Sequence, residues 1–250
     1  MKKTILLIAA SLMISSSTFA EEMHQGMKQE QNMTQEIVAQ PMGKKMPTRF
    51  QAVSHDKAMI LQEGEAKMFC PKCGMTLPMF YKTNHAAHVN GKSEQYCSIH
   101  CLAETIADGG KVTAIKVVDN TTLKFIDVIS SWYVMGSNKA GTMTMTSKYA
   151  FANRSDAEKF AKEFGGKVLT YYAVMDAVKE TLAKETEMID KKQAMMAQKG
   201  EIMYTNMCTP FDATFNSIAE AKTYLVTQKP CGALKGKQLQ AIGIYLNLRK

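Results

Sequence analysis

The sequence predicts an α+β fold in which two homologous ββαβ units pack together and a mostly helical C-terminal extension follows. An internal repeat is the first observation: placing Val112 on Val168 aligns the copies at an offset of 56 residues. Each copy has two strand-like runs, a short helix and a third strand. Each helix ends in Gly-Gly followed by Lys-Val. This pattern is typical of an α-helix that ends at a glycine in the left-handed backbone conformation. Each unit is too small for a large core of its own, so we expect the two to pack together.

The N-terminal region predicts export. Residues 1–20 combine a short basic start, an apolar run and small residues before Ala20, the pattern of a cleavable signal peptide. We therefore expect a periplasmic protein. In the mature chain, no later run is both apolar enough and long enough to predict a transmembrane helix. Residues 21–48 are rich in Gln, Glu, Lys and Met and predict a flexible tail whose thioethers could collect cuprous ion.

The two units are predicted at residues 49–119 and 120–178. Ser98 and Ser155 are expected to begin the two helices, because serine hydroxyls cap free backbone donors. Met143 and Met145 alternate on a predicted strand of the second unit, so one of them could simply face the core.

Residues 179–250 predict a helical extension. Good helix formers without proline fill residues 176–200, and two later stretches resemble the first and last helices of small c-type cytochromes. The haem attachment motif C-x-x-C-H is absent, since Cys208 precedes "TPFDA", so the extension is a degenerate cytochrome-c-like piece without covalent haem. A disulfide between Cys208 and Cys231 suits an exported helical module.

Net charge narrows the choice of partners. The formal charge of +8 falls to +6 once Lys2 and Lys3 are removed with the signal peptide. Export argues against nucleic acid as a partner, so the basic balance favours acidic proteins or a membrane surface, or serves solubility alone.

Two cysteine pairs carry the candidate chemistry. Cys70 and Cys73 form a C-x-x-C pair in "CPKCGM", and Cys97 and Cys101 form a C-x-x-x-C pair in "YCSIHC". Cysteines four apart share one face of a helix, and thiols at a helix N-terminus ionise more readily. Such spacing suits metal ligands better than structural disulfides, because a bridge within either pair closes a very small loop and stabilises little.

The identity of the metal stays open at this point. Four thiolates can make a closed tetrahedral zinc site. Cuprous ion is softer and also takes thioethers, so nearby methionines favour Cu(I), with Zn(II) as the alternative. Further candidate ligands are the thioethers and imidazoles of Met75, Met143, Met145, His85, His88 and His100.

Four stretches together resemble the NosL family, the copper-binding accessory proteins of nitrous-oxide reductase. They are "CPKCGM", "QYCSIHCLAE", "FIDVISSWYVMGS" and "GTMTMTSKYAFANRSDAEKFAKEFGGKVL". The resemblance implies two ββαβ halves and a periplasmic chaperone that passes Cu(I) toward assembly of a multicopper reductase centre. We expect the partner to be a cuproenzyme or a membrane assembly or transport complex. It also implies that the family's metal-binding Cys and Met correspond to Cys73 and Met75, and a later family Met to Met143.

Two other functions compete with a copper chaperone. The pattern "CPxCGM…YCSxxC" also resembles a treble-clef module, in which zinc stabilises an interaction domain and is not transferred. An enzyme with nucleophilic cysteines would need a carboxylic acid near Cys97, whereas Asp108 lies at the far end of the predicted helix. The sequence therefore predicts a binding protein and not an enzyme.

Overall fold

A computed structural model describes residues 49–249 of the chain. The signal peptide predicted at residues 1–20 and the Met-rich tail predicted at residues 21–48 lie outside these residues. In the described part of the chain, none of the helices combines the length and the apolar character needed to cross a membrane.

A four-stranded antiparallel sheet forms the first half of the fold. Its spatial order is β2-β1-β3-β4, and helix α1 lies between β2 and β3 in sequence. The Asn90-Gly91 turn joins β1 to β2 with positive φ at both residues, the geometry that the tightest hairpins require. The bounds are β1 His85–Val89, β2 Lys92–Tyr96, α1 Ile99–Ala107, β3 Val112–Val118 and β4 Phe125–Asp127.

A three-stranded antiparallel sheet of order β6-β5-β7 forms the second half. Its elements are β5 Trp132–Met135, β6 Lys148–Phe151, α2 Arg154–Phe164 and β7 Lys167–Thr170. Both halves thus follow the ββαβ order, and the predicted α+β fold with a helical C-terminal part is confirmed. Gly109 and Gly165, just past the two helices, have φ values of +87° and +75°, as the Gly-Gly pattern predicts.

Several local expectations are wrong. Leu77–Thr83 is a 3-10 helix and not a strand, because Pro78 near its start lacks the N–H that a strand ladder needs. Met143 and Met145 lie in the loop between β5 and β6, where Gly141 packs so closely that a Cβ would lie 2.2 Å from Thr144 O.

The predicted helix starts are also corrected. Helix α2 begins after Asn153, and Ser155 lies inside its first turn. Ser98 does precede α1, but its hydroxyl makes no capping hydrogen bond. Neither serine therefore satisfies a free backbone donor in the predicted way.

The predicted boundaries between units do not coincide with breaks in the structure. Strand β4 follows the boundary predicted at residue 120, yet it pairs with β3 of the first sheet. The boundary predicted at residues 178/179 falls inside helix α3, Tyr171–Met207. Because Tyr171, Val174 and Val178 of α3 are buried in the core that the first sheet shares with α1, this helix ties the extension to the ββαβ halves.

The extension contains two more helices, α4 Ile218–Gln228 and α5 Gly236–Leu248. Helix α5 crosses α3 at Gly200, where an added Cβ would lie 2.1 Å from Ala241 O. In the structure a disulfide joins Cys208, at the end of α3, to Cys231 in the segment between α4 and α5. The apolar core of the extension also includes Phe69, directly before the first cysteine pair.

Candidate metal centre

A tight turn presents the first cysteine pair. The Cys70 N–H donates to Met75 O at 2.8 Å, and the Gly74 N–H donates to Cys70 O at 2.8 Å. Gly74 has a φ of +71°, a value that other residues resist, so glycine is what lets the chain reverse here. The turn directs both thiols of the C-x-x-C pair into the core, and we call residues 70–75 the cysteine turn.

Helix α1 presents the second pair. Cys97 immediately precedes its N-cap residue, and Cys101 lies one turn further on, with 3.7 Å between their sulfurs. Cys73 Sγ lies 3.4 Å from Cys97 Sγ. The two pairs, distant in sequence, therefore meet through their side chains.

The four sulfurs form one compact group. All lie within 4.8 Å of one another. A tetrahedral site with Zn–S bonds of about 2.3 Å has sulfurs about 3.8 Å apart, so small side-chain rotations bring this group to metal-binding geometry. Cys70, Cys73, Cys97 and Cys101 are all free thiols, with no disulfide among them. The cluster thus fits metal binding.

Burial and mutual hydrogen bonding shape the ionisation of these thiols. All four are at most 2% exposed. Burial disfavours the thiolate of Cys70, but hydrogen bonds from the other three thiols outweigh it and hold the pKa of Cys70 well below its ordinary value. Burial raises the pKa of Cys97. The hydrogen bond to Cys70 is the largest cause that raises the pKa of Cys101. Of these three thiols Cys70 therefore ionises most readily, and a metal must displace the protons of Cys97 and Cys101.

Two polar side chains of the extension, which lie in no recognisable sequence motif, reach the cysteine turn. Lys222 Nζ donates to Gly74 O at 2.5 Å, and Gln240 Nε2 donates to Cys73 O at 2.9 Å. Burial lowers the pKa of Lys222 to about 7, and the thiols of the cluster oppose that shift. No motif or periodicity marks either residue, because both sit in ordinary amphipathic helices far along the chain.

The three predicted histidines lie outside the sulfur group, whose members within residues 49–249 are cysteines alone. Both ring nitrogens of His85 are engaged, by Thr83 O at 3.1 Å and by Tyr133 Oη at 2.8 Å. His88 is exposed on β1. His100 is buried between carboxylates, with Nδ1 3.5 Å from Glu185 Oε2. His85 and His100 are therefore buried and His88 is exposed, and their role as metal ligands stays a prediction.

The predicted methionines differ in position. The side chains of Met75 and Met143 are partly buried against the core that contains all four cysteines. Met143 has a φ of +66°, uncommon for a residue other than glycine. Met145 is 83% exposed. Met75 and Met143 therefore remain candidates for a thioether ligand, whereas Met145 faces solvent.

Comparisons with known proteins bear on this site. The NosL family model matches residues 62–179, a range that includes both cysteine pairs. No curated protein matches the chain. Among solved structures, the crystal structure of the copper chaperone NosL from Shewanella denitrificans is similar, with 21% identity and a TM-score of 0.36, over 50% of this chain and 94% of that chain. The residues that the NosL family model matches, 62–179, are thus similar to that family and make up a little less than half of the chain.

Proposed function

We propose that the protein is a periplasmic Cu(I) chaperone that delivers copper for assembly of nitrous-oxide reductase or a related cuproenzyme. The observation that carries the proposal is the group of four free cysteine sulfurs within 4.8 Å of one another, inside residues 62–179, which the NosL family model matches. Thiolates are the donors that cuprous ion prefers, and the half-buried thioether of Met75 lies next to them in the chain. The function is binding and transfer, and we assign no catalytic residue.

Transfer of the metal is proposed to occur on the side of the cysteine turn. Cys73 and Met75 flank Gly74 there, and the adjoining Lys72 is exposed. Sulfur ligands of a partner cuproenzyme, or of a membrane assembly or transport complex, would displace those of the turn in succession. Because helix α1 is anchored in the core, Cys97 and Cys101 would release the ion last.

One observation favours a second function, a zinc-stabilised module of treble-clef type without metal transfer. The four thiols are almost completely buried, and closed sites with four cysteines are typical of structural zinc. In that case the metal contributes to folding, and a chelator unfolds the module. A transferable Cu(I) ion should instead leave a folded protein behind.

Native mass spectrometry under anaerobic conditions tests the proposal. The chain without residues 1–20 is titrated with Cu(I) and with Zn(II), each buffered by a competing chelator. We expect one or more Cu(I) ions to bind in preference to Zn(II). Cys73→Ser should lose Cu(I), whereas the double variant Cys208→Ser, Cys231→Ser keeps all four cluster thiols and should bind as the wild type does.

Circular dichroism before and after chelation separates the two functions. A helical signal that survives copper removal supports a carrier. Preference for Zn(II) together with unfolding on chelation would assign the zinc module, and binding that is insensitive to Cys73→Ser would refute both.

A further inference from the structure

Helices α4 and α5, which lie outside the residues matched by the NosL family model, contact the backbone of the cysteine turn. Ile218 of α4 packs against Gly74 so closely that a Cβ there would lie 2.2 Å from Ile218 Cγ2. Lys222, one turn further along α4, donates to Gly74 O. Gln240 of α5 donates to Cys73 O. Two consecutive backbone carbonyls of the turn are thus held by side chains of the extension.

The ammonium group of Lys222 is enclosed with the acceptors it needs. The side chain is 1% exposed. Besides Gly74 O, its Nζ lies 2.8 Å from Gln240 Oε1 and 3.4 Å from Thr76 Oγ1. It also lies 4.3 Å from the centre of the Phe69 ring. Three acceptors and an aromatic face are what a buried cation requires, since each desolvated N–H must find a partner.

The orientation of Gln240 joins these contacts into one hydrogen-bond network. Its Oε1 accepts from Lys222, which leaves its Nε2 free to donate to Cys73 O. The carboxamide is therefore fixed at both ends. A shift of Lys222 would move Gln240 and, with it, the backbone that carries the Cys73 thiol.

A centre in which several thiolates hold one metal ion has a net negative charge. A neighbouring cation lowers the energy of such a centre, and outer groups that fix the ligands keep its geometry. We infer that Lys222 and Gln240 are positioning residues of the metal centre: the Lys222 ammonium compensates the charge of the metal–thiolate group, and Gln240 fixes the Cys73 backbone. The C-terminal extension is thereby part of the metal site. This inference rests on the proposed metal binding but not on the choice between Cu(I) and Zn(II).

The test compares Lys222→Met and Gln240→Met with wild type in the full chain without residues 1–20. Lys237→Met is the matched control, since it removes one positive charge from an exposed position of α5. Competition with a chromophoric chelator measures the affinity for Cu(I) and for Zn(II). We expect each of the two positioning variants to bind more weakly by about tenfold or more, as is usual when outer groups of a metal site are removed. Lys237→Met should bind as wild type does.

Cobalt(II) is the second probe, because its spectrum reports the ligands directly. Loss of the ammonium should shift the thiolate-to-cobalt charge-transfer band in Lys222→Met. A residue that only stabilises the fold would lower the melting temperature of the metal-free protein and leave the spectrum of the loaded protein unchanged. That pattern would overturn the inference.

The outcomes separate the inference from the proposed function. If wild type binds and both variants bind equally well, only the role of Lys222 and Gln240 is refuted. If wild type binds neither Cu(I) nor Zn(II), the proposed function fails and the inference with it. Should Lys222→Met fail to fold, Gln240→Met decides, because Gln240 is only partly buried.

Discussion

The contact between the cysteine turn and α4 predicts the effect of a single methyl group. Gly74 has a φ of +71°, and a Cβ at this position would lie 2.2 Å from Ile218 Cγ2 and 2.8 Å from Ile218 Cβ. A left-handed conformation costs other residues about 1–2 kcal/mol. Forcing a methyl group into a filled contact costs about 1–3 kcal/mol more. We therefore expect Gly74→Ala to lower the free energy of unfolding by about 2–5 kcal/mol.

Urea unfolding of the metal-free protein, followed by circular dichroism, measures this change. Gly232→Ala is the matched control: Gly232 has a φ of +69° with no neighbouring atom within 4 Å of its added Cβ, so only the backbone cost remains. Ile218→Ala removes Cγ2, so in a double-mutant cycle it should recover about 1–2 kcal/mol of the Gly74→Ala loss. Equal losses for Gly74→Ala and Gly232→Ala would refute the packing of α4 on the turn.

Three further predictions concern pH, metal preference and the disulfide. Burial lowers the pKa of His85 from 6.5 to about 4 in the folded state, so the unfolded chain binds the proton more tightly and stability falls by about 3 kcal/mol as pH drops from 6.5 to 4. His85→Phe should flatten that part of the stability–pH curve, and an unchanged slope would exclude His85 as its source. Met75→Ala should weaken Cu(I) binding by about tenfold in chelator competition without affecting Zn(II) binding, because only the softer ion gains from a thioether. Met145→Ala, at an exposed site, is the control. Equal effects of Met75→Ala on the binding of both ions would exclude Met75 as a ligand. Replacing Cys208 and Cys231 together by serine should cost about 2–4 kcal/mol in thermal unfolding, and an unchanged melting temperature would show that the bridge contributes nothing.

Local patterns explain which parts of the fold were predictable. The Gly-Gly ends of α1 and α2 and the repeat of strands around them depend on backbone conformations that neighbouring residues decide. The loop carrying Met143 was not predictable, because its alternating residues look like a strand. Its course depends instead on Gly141 and on contacts with the rest of the fold. The surroundings of the histidines were not predictable for a related reason, since an imidazole in the sequence gives no sign of its hydrogen-bond partners.

The sequence by itself determined the two ββαβ copies, the helical character of the extension and the two cysteine pairs, because each is encoded in short-range spacing. Only the tertiary structure decided that the pairs converge on one buried centre. It also decided that Lys222 meets Gly74 across a separation of 148 residues. The physical reason is that such contacts depend on how α4 and α5 pack against the core. Packing between residues far apart in sequence leaves no periodic signal in the chain.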